Sequence, residues 1–168
     1  MFIGADLALF TLLFASFLSA RADDPILFEH GRETLDPNRG GINTLLLLTS
    51  SWCVVRATRA HSPRRARRWI LAGLLGGLLF AVSKIWEYAI ELAGDHTPAG
   101  GGFYLYYYSM TGLHFLHVTV GCVLLLFIWI RWRRRDASLT PGVESVACYW
   151  HMVDLLWVLL FPLLYLLH

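Results

Sequence analysis

Apolar residues fall in five blocks along this chain, at about 2–20, 42–55, 69–93, 103–130 and 143–167, with polar residues gathered between them. An α-helix crosses about 30 Å of hydrocarbon with roughly 20 mostly apolar residues, and four of the blocks approach or exceed that length. The block at 42–55 is the weakest, because Asn43, Thr44, Thr49, Ser50 and Ser51 dilute it. The five blocks and their connections use the whole chain and leave no length for a soluble domain. The pattern therefore predicts an all-α fold: one integral membrane bundle of five transmembrane helices, a single domain over residues 1–168.

The connections differ in charge. The 21–41 segment holds Asp23, Asp24, Glu29, Glu33 and Asp36, with Arg21, Arg32 and Arg39. The second-to-third connection carries Arg56, Arg59, Arg64, Arg65, Arg67 and Arg68, and the fourth-to-fifth carries Arg131, Arg133, Arg134 and Arg135. Cytoplasmic loops gather Lys and Arg. Both Arg-rich connections are thus expected inside and the acidic one outside, with the N-terminus inside and the C-terminus outside. The 94–102 connection has no Lys or Arg, and its Gly100-Gly101-Gly102 run reads as a flexible loop. Ser19-Ala20-Arg21-Ala22 offers small residues for signal cleavage, but no basic residue precedes the first block and Asp6 sits near its start, unlike a signal peptide. Trp69, Phe103, Tyr104, Trp129, Trp132 and Tyr165 lie near block edges, as an interfacial aromatic belt would.

Composition agrees: 57% of residues are apolar and 15% charged, against about 45–50% and about 25% in soluble domains. The net charge of +2 adds little. Cys53, Cys122 and Cys148 sit inside apolar blocks without a C-x-x-C pair, so each reads as a small apolar residue. Beside apolar spans, the Arg-rich connections indicate topology or acidic lipid, and no nucleic-acid partner is expected.

Ionisable groups within spans carry the candidate chemistry, since each costs roughly 2.5–3.5 kcal/mol near mid-membrane unless partnered. They are Asp6, Lys84, Glu87, Glu91, His114, His117, Glu144, His151 and Asp154. Lys84, Glu87 and Glu91 share an arc of about 60° on the third helix, with Tyr88 beside it, and Lys84 and Glu87 can pair across one turn. Tyr107, Thr111, His114 and Gly121 form a stripe on the fourth, with His117 at its edge. Glu144, Cys148 and His151 align on the fifth, with Asp154 alongside. Turned inward, these stripes form a polar core. Spacing leaves three uses open: a structural hydrogen-bonded core, a proton relay, or a haem or metal site using His114 or His117 with His151. The H-E-x-x-H zinc motif is absent.

These motifs together resemble the subunit III family of haem–copper oxidases. Tyr149-Trp150-His151-Met152-Val153-Asp154-Leu155-Leu156-Trp157 is similar to that family's Tyr-Trp-His-Phe-Val-Asp-x-x-Trp helix, with Met152 in place of Phe. Thr111-Gly112-Leu113-His114-Phe115-Leu116-His117-Val118 is similar to its next-to-last span, with Leu116 where Gly is frequent. Glu87-Tyr88 fits its Gln-x-x-Glu-Tyr pattern with Lys84 in the Gln position, Asp6 stands where larger members carry Glu, and Glu144 suits the family. The resemblance covers essentially the whole chain. It departs in lacking the first two of seven spans, and the five-span form with Lys before Glu-Tyr resembles the short branch associated with bacterial nitric oxide reductase. Asp6 lies so early in its span that a few upstream residues are expected to be missing.

The resemblance implies a multi-pass protein of the bacterial plasma membrane that binds no cofactor itself. Its partners would be membrane phospholipid and the catalytic subunit of a haem–copper oxidase or nitric oxide reductase, where haem and copper or non-haem iron reside. It shifts Asp6, Lys84, Glu87, Tyr88, His114, His117, Glu144, His151 and Asp154 toward the structural reading. Two alternatives stay in view: a free-standing haem or metal oxidoreductase using His114, His117 and His151, and a small proton-conducting transporter using Lys84, Glu87 and Asp154. Paired helix-breaking prolines and inverted repeats, which would favour a transporter, are not visible in the sequence.

Overall fold

A computed structural model describes residues 2–94, 101–131 and 140–167. Among them are six α-helices: α1 (Phe2–Asp23), α2 (Pro25–Glu33), α3 (Pro37–Thr58), α4 (Pro63–Ala93), α5 (Gly102–Arg131) and α6 (Thr140–Phe161). A single π-helical turn, Pro162–Leu166, continues α6. Trp132, Arg133, Arg134 and Arg135 lie outside the described residues, as does most of the 94–102 connection. No strand occurs among the described residues.

Among the described residues four helical stretches are long and apolar enough to cross a membrane: Gly4–Asp23, Pro63–Ala93, Gly102–Arg131 and Gly142–Leu166. The 22 residues of α3 give about 33 Å at about 1.5 Å per residue, long enough to span. Its interior-facing Asn43, Ser50 and Ser51 keep it polar, and all three are buried against the other helices. The helix is thus polar where it meets protein and apolar where Ile42 and Leu45 face outward.

The 21–41 segment is more ordered than a polar loop. Two Asp-Pro pairs each start a helix: the Asp24 carboxylate accepts from Leu27 N at 3.2 Å, and the Asp36 carboxylate accepts from Asn38 N at 2.9 Å. Acceptor side chains at the N-cap followed by Pro at the first helical position favour initiation. α2 closes one end of the bundle, with Phe28 meeting Phe17 and Phe103 edge-on at 5.3 and 5.9 Å. Ser62-Pro63 starts α4 in the same way, extending it six residues before the apolar block.

The core lies among α3, α4, α5 and α6, and α1 packs from outside against α2, α5 and α6. Trp150 and Trp157 are its largest buried side chains. Trp150 needs glycine on two neighbours: a Cβ at Gly77 would stand 2.6 Å from the indole, and one at Gly121 would stand 2.5 Å from it. Phe103 and Tyr165, placed by sequence in an interfacial belt, are both buried in the bundle instead. For Tyr165 the cause is the π turn. Pro162 has no N–H to continue the α ladder, Leu167 N bonds Pro162 O at 2.9 Å, and the wider turn carries the phenol inward.

Candidate functional site

A polar network surrounds Lys84, whose side chain is fully buried, and joins α4 to α5 and the π turn. Lys84 and Glu87 lie one turn apart on α4, and Lys84 Nζ donates to Glu87 Oε1 at 2.9 Å. The ammonium also donates to the hydroxyls of Tyr107, from α5, at 3.1 Å, and of Tyr165, from the π turn, at 2.8 Å. An ammonium has three N–H donors, and all three are used. Both hydroxyls donate onward to Glu87 Oε1, Tyr107 at 2.6 Å and Tyr165 in a short contact. One carboxylate oxygen therefore gathers three donors from three chain segments.

Aromatic rings complete the surroundings. Lys84 Nζ lies 5.2 Å from the ring centre of Trp157 and 5.4 Å from that of Tyr88. Ring faces attract cations, more strongly where water is excluded. Tyr88 joins α4 to α5 by donating to Thr111 Oγ1 at 2.7 Å, and Thr111 donates to Tyr107 O at 2.5 Å. Glu91 is buried on the same face of α4. The arc expected on α4 is thus assembled, and the stripe on α5 meets it.

The other candidate groups separate into distinct contacts. His114 is fully buried between Phe80, edge-on at 5.7 Å, and Trp157 at 5.1 Å, with neither ring nitrogen hydrogen-bonded to protein. His117 faces α1, its Nε2 standing 3.3 Å from Asp6 Oδ1 and its Nδ1 2.8 Å from Leu113 O. His151 faces α3, where its Nδ1 meets Ser51 Oγ at 2.5 Å. Asp154 is buried beside Ser51 and His151, so its partners are these and not Lys84. Glu144 is exposed and is no part of the polar core. α6 meets the protein with its Trp150 and Trp157 side, away from Glu144.

The three imidazoles are thus turned to three different neighbours, Phe80 and Trp157, Asp6, and Ser51. They do not converge as a pair of axial ligands would. Among the described residues no group of three or more His, Cys, Asp or Glu is placed to hold a metal ion.

Sequence reasoning missed the polar contribution of α3. Ser50 donates to Gly73 O at 2.6 Å and accepts from Trp150 Nε1 at 3.1 Å, while Thr44 accepts from Trp157 Nε1 at 3.0 Å. The signal was present: a polar residue within an apolar block needs a partner, and two tryptophans on α6 each carry a donor.

The family described as Cytochrome c oxidase subunit III matches the chain over residues 1–168. The cytochrome c oxidase subunit 3 of Synechocystis sp. is 33% identical over 175 residues, covering 99% of this chain and 73% of that protein. That of Thermostichus vulcanus is 35% identical over 134 residues, covering 75% and 64%. The probable quinol oxidase subunit 3 of Staphylococcus aureus is 28% identical over 172 residues, covering 99% and 86%.

Proposed function

The chain belongs to the cytochrome c oxidase subunit III family, and from that premise we propose that it is a non-catalytic subunit of a respiratory haem–copper oxidase complex in a bacterial plasma membrane. It packs beside the catalytic subunit, which holds the haem and metal, and supports that subunit's stability and lipid and proton environment. α3 acts as a fifth span. The Arg-rich α3–α4 connection then lies inside, with the N-terminus inside and the C-terminus outside.

The observation that carries this reading is the pairing of the buried Lys84 ammonium within the chain. Every ammonium donor is used within the chain and three donors converge on Glu87 Oε1, so the most polar part of the interior offers binding between helices rather than a reacting group. A proton-conducting transporter would need such charges on a water-lined path; here the Lys84 side chain has no exposed surface.

A second reading, in which the partner is a nitric oxide reductase, is favoured by Lys84 standing at the Gln position of the family pattern. Gentle extraction of the tagged chain, mass spectrometry of what accompanies it, and parallel assays of oxygen and nitric oxide consumption test both. Stoichiometric recovery of a haem-bearing catalytic subunit is expected. Recovery of the chain without one would overturn the proposal, and the consumed gas decides between the partners.

A further inference from the structure

α1 is held to the bundle unevenly along its length. Its C-terminal half is anchored by Phe17, whose ring meets Phe28 and Tyr106 edge-on at 5.3 and 5.8 Å. A 2.8 Å hydrogen bond between Ser16 and Tyr106 adds to this, and the chain runs on directly into α2. The N-terminal half has far less. Gly4, Ala5, Leu7, Ala8 and Leu9 are exposed, and from Gly4 to Leu13 Phe10 alone is buried. Phe10 meets His117 edge-on at 5.7 Å, and Asp6 pairs with the same imidazole. Among the described residues no other ion pair joins α1 to the bundle.

Both ring nitrogens of His117 face oxygen. Nδ1 lies 2.8 Å from Leu113 O and Nε2 lies 3.3 Å from Asp6 Oδ1. A carbonyl only accepts, so Nδ1 carries a proton. The neutral ring has a single N–H, and Nε2 is then a lone pair, which repels an ionised carboxylate. The contact therefore needs one further proton, on Nε2 as imidazolium or on Asp6 as the neutral acid. Losing it turns attraction into repulsion, whichever group had held it. The pair lies at the edge of the bundle, with side-chain exposures of 12% for His117 and 22% for Asp6.

Other titratable groups near the pair leave this logic intact. Tyr149 of α6 stands by Asp6 and donates to His117 O at 3.3 Å, not to the ring. His114, one turn away on α5, is turned inward against Phe80 and Trp157. Arg21 and the charges of α2 lie at the other end of α1.

We propose that Asp6 and His117 form a proton-dependent latch. With the proton between them the N-terminal half of α1 is docked on α5; without it that half swings away while the Phe17 end stays anchored. The docked form binds one proton more than the released form. Acid therefore favours docking, and the docked-to-released ratio changes by up to about tenfold per pH unit. The latch is a property of this chain and rests on no partner enzyme.

The test uses the full-length chain in nanodiscs, with Cys148→Ser removing the exposed thiol and Cys53 and Cys122 left buried. Spin labels on Ala5→Cys and Val120→Cys, both exposed, report the latch end by dipolar electron paramagnetic resonance, and labels on Leu18→Cys and Leu105→Cys report the anchored end. Spectra are compared at about pH 5 and about pH 9, either side of the usual imidazole range. The latch-end distance is expected to be short and narrow in acid and to gain a longer component in base, with the anchored end unchanged. Asp6→Asn keeps the shape, and its amide accepts from an imidazolium or donates to the neutral ring. It is expected to erase the pH response with α1 docked throughout. His117→Phe removes the link and is expected to show the longer component at both pH values. A latch-end distance that ignores pH in the otherwise unaltered chain, or a pH response that survives either substitution, would overturn the proposal. Equal lengthening at both ends would overturn it too, as general loosening of α1. None of these readouts depends on recovery of a catalytic subunit, so failure here is distinct from failure of the proposed function.

Discussion

Replacing Glu87 by leucine tests how the bundle tolerates a lysine at its centre. The substitution removes the oxygen that accepts from Lys84, Tyr107 and Tyr165. Lys84, with no exposed surface, then keeps two hydroxyl lone pairs and neighbouring aromatic rings but loses the carboxylate that it bonds, with Glu91 left two turns further along the helix. Removing one partner of a buried pair costs about 3–5 kcal/mol, because the remaining charge is left uncompensated. Most domains have only about 5–15 kcal/mol in total, so Glu87→Leu is expected to bring the chain close to unfolding. Lys84→Met is expected to cost a similar amount, leaving a carboxylate with two phenol donors. The double variant removes both members of the pair and fills similar volume with apolar atoms. Buried pairs replaced in that way are neutral or better, so it is expected within about 1 kcal/mol of the unaltered chain. Equilibrium unfolding in mixed micelles, followed by far-ultraviolet circular dichroism, measures all three. The reasoning fails if Glu87→Leu costs less than about 1 kcal/mol, or if the double variant is no more stable than the weaker single one. In cells the single variants are expected to reduce the amount of assembled complex while turnover per complex stays constant, and a collapse of turnover at constant assembly would restore a direct proton role.

Tyr165→Phe removes a phenol that bonds both members of the pair; hydrogen bonds to charged groups contribute about 1.5–3 kcal/mol, and a loss in that range is expected in the same unfolding assay. Gly121→Ala places a methyl 2.5 Å from the Trp150 ring and is expected to cost about 1–3 kcal/mol by overpacking, with a changed Trp fluorescence spectrum. Thr44→Val keeps the shape but leaves Trp157 Nε1 without its acceptor, an expected cost of about 1–3 kcal/mol, whereas Thr49→Val, on the exposed side of the same helix, is expected to change stability little.

Much of this interior was legible because helical periodicity acts locally. Lys84, Glu87 and Glu91 fall on one arc by spacing alone, and all three are buried together. The pairing of Lys84 with Glu87 followed from their separation of one turn. What spacing does not carry is the rotation of one helix against another. His151 and Asp154 were visible on α6, but their meeting with Ser51 depends on how α3 packs. Glu144 shares a nominal stripe with His151 and yet is exposed, because the protein contact on α6 follows Trp150 and Trp157. Tyr165 was hidden for a different reason: the π turn after Pro162 changes the period that any stripe assumes. The order in 21–41 was written in Asp24-Pro25 and Asp36-Pro37, and the acidic composition of that segment masked it.

The most direct measurement is a haem and metal count on this polypeptide after it is separated from its complex and purified. With its buried cation and carboxylate bound to each other and its imidazoles turned to separate neighbours, the chain is expected to show no Soret absorbance and less than 0.1 metal per chain (on the order of background, since converging ligands are what hold such groups), while the catalytic fraction retains the colour. One haem or one metal ion per chain, lost on replacing His114, His117 or His151, would contradict the account.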